Sequence, residues 1–136
     1  MVEYSGTLFT LTLLLTMVVI QAIIATGAHR KQTQYIPGVV ASELDHHSFV
    51  FRSHRTFLNS LENVPVFILT AMLAMAAGVG AEALFWSTAV FTGARAIHMV
   101  LFYAIATNKN PSPRSYFYMV GLLTQLTLLG LVFAAF

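Results

Sequence analysis

Two stretches of this otherwise apolar sequence carry polar side chains at helical spacing. The first row consists of Arg52, Arg55, Asn59 and Glu62, at intervals i, i+3, i+7 and i+10. The second row consists of Arg95, His98 and Phe102, at intervals i, i+3 and i+7. Residues at such intervals share one face of a helix, and the first row falls within an arc of roughly 80°. Each row is therefore predicted to present its side chains in a single direction.

The residue types in these rows indicate the ligand that they suit. Guanidinium groups bind carboxylates and phosphates through paired, charge-assisted hydrogen bonds. A single glutamate among arginines suits an ammonium group. The rows together predict a site for a small zwitterion with surplus negative charge. The sequence has no cysteine, so any thiol in the chemistry has to come from a bound substrate.

Both rows lie in segments that are apolar enough to enter a membrane, where an unpaired charge is costly. If the second helix begins near Val50, Glu62 lies about 18 Å inside it at about 1.5 Å per residue. Arg95 lies equally deep if the third helix ends near Thr107. An isolated arginine at mid-membrane costs about 2.5–3.5 kcal/mol on insertion scales. We therefore expect Glu62 and Arg95 to meet.

Less specific interpretations of these residues stay open. A Glu62–Arg95 pair can be purely structural, and His98 alone is typical of a hydrogen bond between helices. Basic residues at helix ends commonly extend to lipid headgroups. That explanation applies singly to Arg30, Lys31, Arg52 and Lys109. The remaining histidines are interpreted as loop residues without metal-ligand spacing: His29, His46, His47 and His54.

Four apolar segments are the elements that position these rows. Of the 136 residues, 57% are hydrophobic and 9% are charged, whereas soluble domains carry about 25% charged residues. The sequence predicts an all-α membrane protein, a four-transmembrane-helix bundle forming a single domain over residues 1–136. Its helices are expected at about 5–30, 49–78, 83–107 and 114–135. A cleaved signal peptide fits the first segment poorly, because Glu3 replaces a basic start and the apolar run is too long.

The connections differ sharply in charge. Six of the seven Lys and Arg residues belong to the first and third connections and their flanks: Arg30, Lys31, Arg52, Arg55, Lys109 and Arg114. The second connection has Glu82 and no basic residue, and its Gly78 and Gly80 predict a tight hairpin. The positive-inside rule makes the first and third connections cytosolic and places both termini on the opposite side. The small size and short loops favour a bacterial inner membrane.

The motifs resemble those of one known family. The stretch 52–63, RSHRTFLNSLEN, resembles the second-helix signature R-x-x-R-A-H-x-N-x-x-E-N of the MAPEG superfamily, the membrane-associated proteins in eicosanoid and glutathione metabolism. GAHR at 27–30 resembles the basic end of that family's first helix. RAIH at 95–98 and RSYFY at 114–118 resemble its third helix and the entrance to its fourth. The similarity covers all four predicted spans in order.

The resemblance implies an assembly, a substrate and roles for particular residues. The family pattern is a homotrimer that holds glutathione, as co-substrate, between neighbouring subunits near the cytosolic face. On that pattern glutathione is bound by Arg30, Arg55, Asn59, Glu62, Arg95, His98 and Tyr118. Arg114 and Ser115 stand where the family stabilises the glutathione thiolate, and they are the expected catalytic residues. The implied activity is that of a transferase or peroxidase acting on apolar electrophiles or lipid hydroperoxides, without a metal or nucleic acid.

Two positions depart from the family pattern and keep other hypotheses open. Phe57 stands where the signature has histidine, and Phe102 stands where many members carry tyrosine; the adjacent Tyr103 is rotated by about 100°. One branch of the family binds lipid ligands without catalysis, so a non-catalytic lipid- or glutathione-binding protein is the second hypothesis. The third is a small four-helix drug exporter. Such exporters rely on a carboxylate in the first helix, where this chain offers only Gln21.

Overall fold

A computed structural model describes residues 2–136 and contains four long helices after a short 3₁₀ turn at Val2–Tyr4. The helices are α1 Ser5–His29, α2 Phe49–Ala76, α3 Ala81–Ala104 and α4 Pro113–Ala134. Each is long and apolar enough to cross a membrane, since a hydrocarbon core of about 30 Å takes about 20 helical residues. The all-helical fold agrees with the predicted four-helix membrane bundle.

α2 and α3 form the centre of the bundle. α1 packs against both of them on one side, and α4 packs against both on the other. The connections α1–α2 and α3–α4 meet at one end, where Asn108 Nδ2 donates a hydrogen bond to Asp45 Oδ2 at 2.8 Å. We call this end the basic end; it comprises residues 30–48 and 105–112 and the adjoining helix turns. The predicted clustering of basic residues therefore corresponds to one end of the bundle.

The helix ends follow from local chemistry. Gly78 adopts φ +77° after α2, a conformation that glycine reaches without a steric penalty. Gly78 and Val79 donate backbone hydrogen bonds to the carbonyls of Met75 and Ala74, and this pairing closes the helix end. Gly80 then precedes α3, so the predicted tight hairpin is present.

The bundle is tightly packed inside and apolar outside. Phe67 and Phe91 are buried between α2 and α3, and their rings stack with centroids 3.7 Å apart. Large apolar side chains such as Leu69 and Leu123 are about 60% exposed on the outer surface, at 61% and 58%. An exterior of this kind suits lipid rather than water. The interior contacts therefore contribute close packing, because lipid supplies no hydrophobic driving force between helices.

α3 ends earlier than predicted, and this changes the expected position of Arg95. The helix stops at Ala104 rather than near Thr107, and Ile105 is extended at φ −107° and ψ 111°. A side chain from another helix binds a free backbone carbonyl at this end: Arg52 Nη2 donates a hydrogen bond to the Tyr103 carbonyl at 3.3 Å. Ending three residues earlier brings Arg95 about 4.5 Å closer to the basic end than expected.

Candidate functional site

The second polar row lies inside the bundle, as its composition predicted. Arg95, His98 and Phe102 are only 2%, 3% and 7% exposed. Arg95 Nη2 donates hydrogen bonds to Asn59 Oδ1 at 2.7 Å and to Ser60 Oγ at 3.2 Å. These bonds join α3 to α2 and fix the guanidinium in the interior. Arg95 Nε has no hydrogen-bond partner among residues 2–136.

The expected direct contact between Glu62 and Arg95 is wrong. Glu62 Oε1 lies 4.0 Å from Arg55 Nη1, and the two side chains are 58% and 39% exposed. Because α3 ends at Ala104, Arg95 is nine residues from the basic end, level with Asn59 and a turn short of Glu62. An exposed pair of this kind contributes about 0–1 kcal/mol to stability, so Glu62 is free to exchange Arg55 for another cation.

Glu62 and Arg95 nevertheless face the same cavity. This cavity of about 190 Å³ lies between α2, α3 and α4. Its lining combines polar and apolar side chains: Glu62, Asn63, Val66, Phe91, Arg95, Tyr118, Gly121, Leu122 and Gln125. A Cβ at Gly121 would lie in ordinary van der Waals contact with the Phe91 ring at 3.6 Å and with Arg95 Cδ at 3.8 Å. The cavity therefore offers a buried cation, an anion and an apolar wall within one volume.

Arg114 forms a second centre at the entrance to α4. Its Cζ lies 4.2 Å from the centroid of the Phe102 ring, within the range of a cation–π contact. Its Nη2 donates to the Thr107 carbonyl at 3.2 Å and lies 3.5 Å from His46 Nδ1. Arg114 is 9% exposed, and its Nη1 has no partner in the described chain. Phe102, which departs from the family pattern, thus forms the surface on which this guanidinium rests.

The residues described above belong to a chain whose sequence matches a known family. The chain matches the MAPEG family model over residues 7–134, which include nearly all of the four helices. The chain belongs to the MAPEG family. Comparisons with curated proteins and with solved structures give no match. Membership places this integral multi-pass membrane protein in a class linked to glutathione and eicosanoid metabolism.

Other residues of this MAPEG chain that carry the resemblance occupy different places around the two centres. Tyr118 lines the cavity one helical turn below Arg114. His98 lies between the two centres, edge-on to Phe102 at 5.4 Å between ring centroids. Arg30 is exposed just after α1, and α1 contributes no residue to the cavity lining. Of the predicted site residues, the cavity lining contains Glu62, Arg95 and Tyr118. Asn59 and Arg55 contact two of these, Arg95 and Glu62, whereas Arg30, His98, Arg114 and Ser115 lie outside the lining.

Ser115 has a structural contact that the resemblance did not indicate. Its Oγ accepts the Ser112 backbone N–H at 3.1 Å, as part of a reciprocal cap at the start of α4. Pro113 occupies the first turn, where its missing N–H costs nothing. A hydroxyl that accepts one hydrogen bond still has its own O–H to donate. Ser115 can therefore serve the helix end and a ligand together.

Several residues of this MAPEG chain have positions or contacts that the sequence did not indicate. Arg52 is an internal anchor rather than a headgroup ligand, because Nη1 bonds the carbonyls of His46 and His47 at 2.8 and 3.1 Å. His54 lies within α2 and His29 is the last residue of α1, so the loop interpretation of these two histidines is wrong. Gln125, whose Nε2 bonds Thr70 Oγ1 at 2.9 Å, was signalled only by its being an isolated amide in an apolar span.

The first connection carries its own electrostatic pattern at the basic end. A hydrogen bond from Asn108, followed by one from the His47 backbone, lowers the pKa of the Asp45 carboxyl. Burial, followed by the charge of Arg114, lowers the pKa of the His46 imidazole. Asp45 is therefore charged and His46 neutral near pH 7. Both residues take part in holding the two connections together.

Proposed function

We propose that this MAPEG protein is a glutathione-dependent transferase or peroxidase acting on apolar, membrane-partitioning electrophiles. The observation that carries the proposal is a set of four buried side-chain nitrogens without a hydrogen-bond partner among residues 2–136: Arg52 Nε, Arg95 Nε, His98 Nδ1 and Arg114 Nη1. A buried polar group left unpaired costs about 1–3 kcal/mol. Two carboxylates and a thiolate on one ligand supply the acceptors that such groups require.

Glutathione is an anionic tripeptide whose charges suit the residues around the cavity. Arg55 and Arg95 would hold its carboxylates, with Asn59, His98 and Tyr118 adding hydrogen bonds. Glu62 would exchange Arg55 for the ammonium group. The ion pair of Glu62 with Arg55 permits this exchange, because it is exposed and long. The lining of the cavity of about 190 Å³ includes two exposed side chains, Glu62 and Val66. A neighbouring subunit would close it there.

Arg30 supports assembly as a homotrimer. It lies on the side of the bundle formed by α1, whereas the cavity lies between α2, α3 and α4. Arg30 can contribute to a glutathione site only if it reaches the cavity of a neighbouring chain. In a ring of three identical subunits, the α1 face of each subunit would pack against the cavity of the next. Such a ring has closed symmetry and satisfies this requirement.

Arg114 and Ser115 would supply the catalytic step. A free thiol is mostly protonated at neutral pH, and only the thiolate is a strong nucleophile. The unpaired Nη1 of Arg114 and the Ser115 hydroxyl would donate to the sulfur and stabilise its charge, while the thiol proton passes to water. The sulfur then forms a bond to an electrophilic carbon, and a leaving group such as chloride departs with the bonding electrons.

Peroxide reduction would use the same thiolate. The sulfur attacks the terminal oxygen of a lipid hydroperoxide, the O–O bond breaks, and the alcohol leaves together with a glutathione sulfenic acid. A second glutathione condenses with that acid to give glutathione disulfide and water. Both electrophile classes partition into lipid and would reach the basic end from the bilayer.

The orientation in the membrane follows from the same charges. We propose that the basic end faces the cytosol, where glutathione is dissolved, and that both termini lie on the opposite side. The short connections support a bacterial inner membrane as the location. Phe91, whose ring stacks on the buried Phe67, forms part of the apolar lining of the cavity.

The proposal is tested by conjugation of glutathione to a chlorinated nitrobenzene by purified protein in lipid. The parent chain is expected to catalyse the reaction, and Gly121→Leu is expected to lower kcat/KM by about tenfold, because the new side chain fills the cavity and displaces the substrate. Gly130→Leu is the matched control, since Gly130 has open space around its Cα. Equal activity of the Gly121→Leu and parent proteins would contradict the assignment of this cavity.

A second candidate is a MAPEG protein that binds lipid or glutathione without turnover. Phe57, half-buried on α2, favours this candidate because it stands where the second-helix signature has histidine. The same assay separates the two candidates. Saturable glutathione binding without conjugation or peroxide reduction would favour the non-catalytic protein.

A further inference from the structure

His46 of the first connection lies against the side chains that hold Arg114. Its ring packs edge-on to Phe51, with centroids 4.9 Å apart, and against Phe102 at 5.5 Å. Its Nδ1 lies 3.5 Å from Arg114 Nη2. One side chain therefore contacts both the aromatic ring beneath the Arg114 guanidinium and the guanidinium itself.

The backbone around His46 is held from several directions. Its N–H donates to Asn108 Oδ1 at 3.2 Å, and its carbonyl accepts from Arg52 Nη1 at 2.8 Å. Asn108 is tied in turn to Asp45 through the 2.8 Å hydrogen bond already described. Because the first and third connections and α2 all fix this residue, its ring has a defined position beside Arg114.

The charges around His46 keep its imidazole neutral and able to accept a hydrogen bond. Burial and Arg114 lower its pKa, Asp45 on the same connection opposes them, and Arg55 and Arg52 on α2 act with Arg114. The contact from α3 is the uncharged Phe102. A neutral imidazole that carries its proton on Nε2 presents Nδ1 as the acceptor.

We propose that His46 is a positioning residue that orients Arg114 toward the glutathione thiolate, an inference that rests on the proposed function. The Phe102 face and the Thr107 carbonyl contact the guanidinium from two directions. His46 Nδ1, 3.5 Å from Nη2, adds a third contact, so that Nη1 remains directed away from these partners. Arg114 is then preorganised for the developing charge, as electrostatic stabilisation requires.

The arrangement has a defined dependence on pH. Protonated His46 has no acceptor for Arg114 and repels it. Since the pKa of His46 is lowered in the folded protein, the contact is complete above the ordinary imidazole value of about 6.5. It is lost as the pH falls through the lowered value.

Kinetics of three single variants test the role of the ring nitrogen. His46→Phe keeps an aromatic ring against Phe51 and Phe102 but removes the acceptor, and it is expected to lower kcat by about tenfold with little change in the KM for glutathione. His46→Gln, whose amide oxygen can accept a hydrogen bond, should recover most of the rate. Because glutamine does not titrate, the fall in kcat at acid pH that protonation of His46 causes in the parent should be absent from this variant. His47→Phe is the matched control, because the His47 side chain makes none of these contacts.

A double variant separates positioning from a general structural role. In the Arg114→Ala background, His46→Phe should have no further effect on kcat, because the residue that it orients is already absent. An undiminished tenfold loss in that background would overturn the proposal. So would a His46→Phe protein with the same kcat and pH profile as the parent.

A readout independent of glutathione keeps the inference testable if the proposed function fails. Phenylglyoxal modification of Arg114, measured by mass spectrometry as the modified fraction of its peptide, should rise in His46→Phe relative to the parent and stay unchanged in His47→Phe. If the parent lacks conjugating activity, the proposed function is wrong, and the modification result alone decides whether His46 holds Arg114. Equal modification of Arg114 in all three proteins would overturn the positioning role.

Discussion

Replacing Arg114 by alanine is expected to lower kcat for glutathione conjugation by about 100-fold while glutathione binding falls only slightly. The side chain would stabilise the thiolate against the thiol, and a factor of 100 corresponds to about 2.7 kcal/mol. One buried, charge-assisted hydrogen bond to a full negative charge is of that order. The loss should appear as a smaller thiolate ultraviolet absorbance of the enzyme–glutathione complex at neutral pH, because the bound thiol takes up a proton.

Two further variants define what Arg114 supplies. Arg114→Lys keeps the positive charge but not the flat guanidinium that stacks 4.2 Å above Phe102, so an intermediate rate is expected. Lys109→Ala is the control for the removal of a positive charge at the basic end, since Lys109 is exposed on the third connection. An Arg114→Ala protein that reacts as fast as the parent would show that the thiolate assignment is wrong.

Glu62→Gln is expected to weaken glutathione binding by about 10–100-fold, as loss of a charged hydrogen bond worth about 1.5–3 kcal/mol predicts. The substitution keeps the shape of the side chain and removes its charge. Stability should change little, because Glu62 is 58% exposed and its only ion pair in the described chain is the 4.0 Å contact with Arg55. The dissociation constant, measured by calorimetry, is the relevant quantity.

A ligand variant makes the role of Glu62 specific. N-acetylated glutathione lacks the ammonium group, so it should bind the parent weakly and should bind the Glu62→Gln protein with the same low affinity. Glu82→Gln, which removes an exposed carboxylate at the start of α3, is the matched control and should bind glutathione normally. If Glu62→Gln binds glutathione as the parent does, the ammonium role fails.

The fold was largely predictable because it depends on composition and spacing. Long uncharged segments exceed the length of a membrane span, and the positive φ of Gly78 was signalled by glycines between two such segments. The interval of Arg95, His98 and Phe102 predicted a shared face, and all three side chains are buried. Periodicity alone determined that face, since one helix geometry fixes the direction of each side chain.

Contacts between helices were less predictable because they depend on where each helix ends. The expected Glu62–Arg95 contact assumed that α3 continues to Thr107, and its actual end at Ala104 brings Arg95 level with Asn59. A shift of three residues moves a side chain by about 4.5 Å and by most of a turn. Single-residue propensities rarely locate a helix end that closely.

The contact of His46 with Arg114 could not be predicted, for a different physical reason. It comes from a loop whose position is set by hydrogen bonds to Asn108 and Arg52, which are distant in sequence or on another helix. Neither residue type nor spacing predicts such a contact. Arg114 was predicted as a catalytic residue through resemblance to the family. Its contact with Phe102 depends on how α3 and α4 pack, which the sequence does not indicate.

We propose that the groups around the cavity between α2, α3 and α4 jointly enclose one glutathione. Calorimetric titration of glutathione into the purified trimer or protomer in lipid tests this proposal. Saturable heat is expected with either one site per chain or one site per three chains, and Gly121→Leu, which fills the cavity, is expected to abolish that heat. A folded parent protein that gives no saturable heat, or a Gly121→Leu protein that binds glutathione equally well, would contradict it.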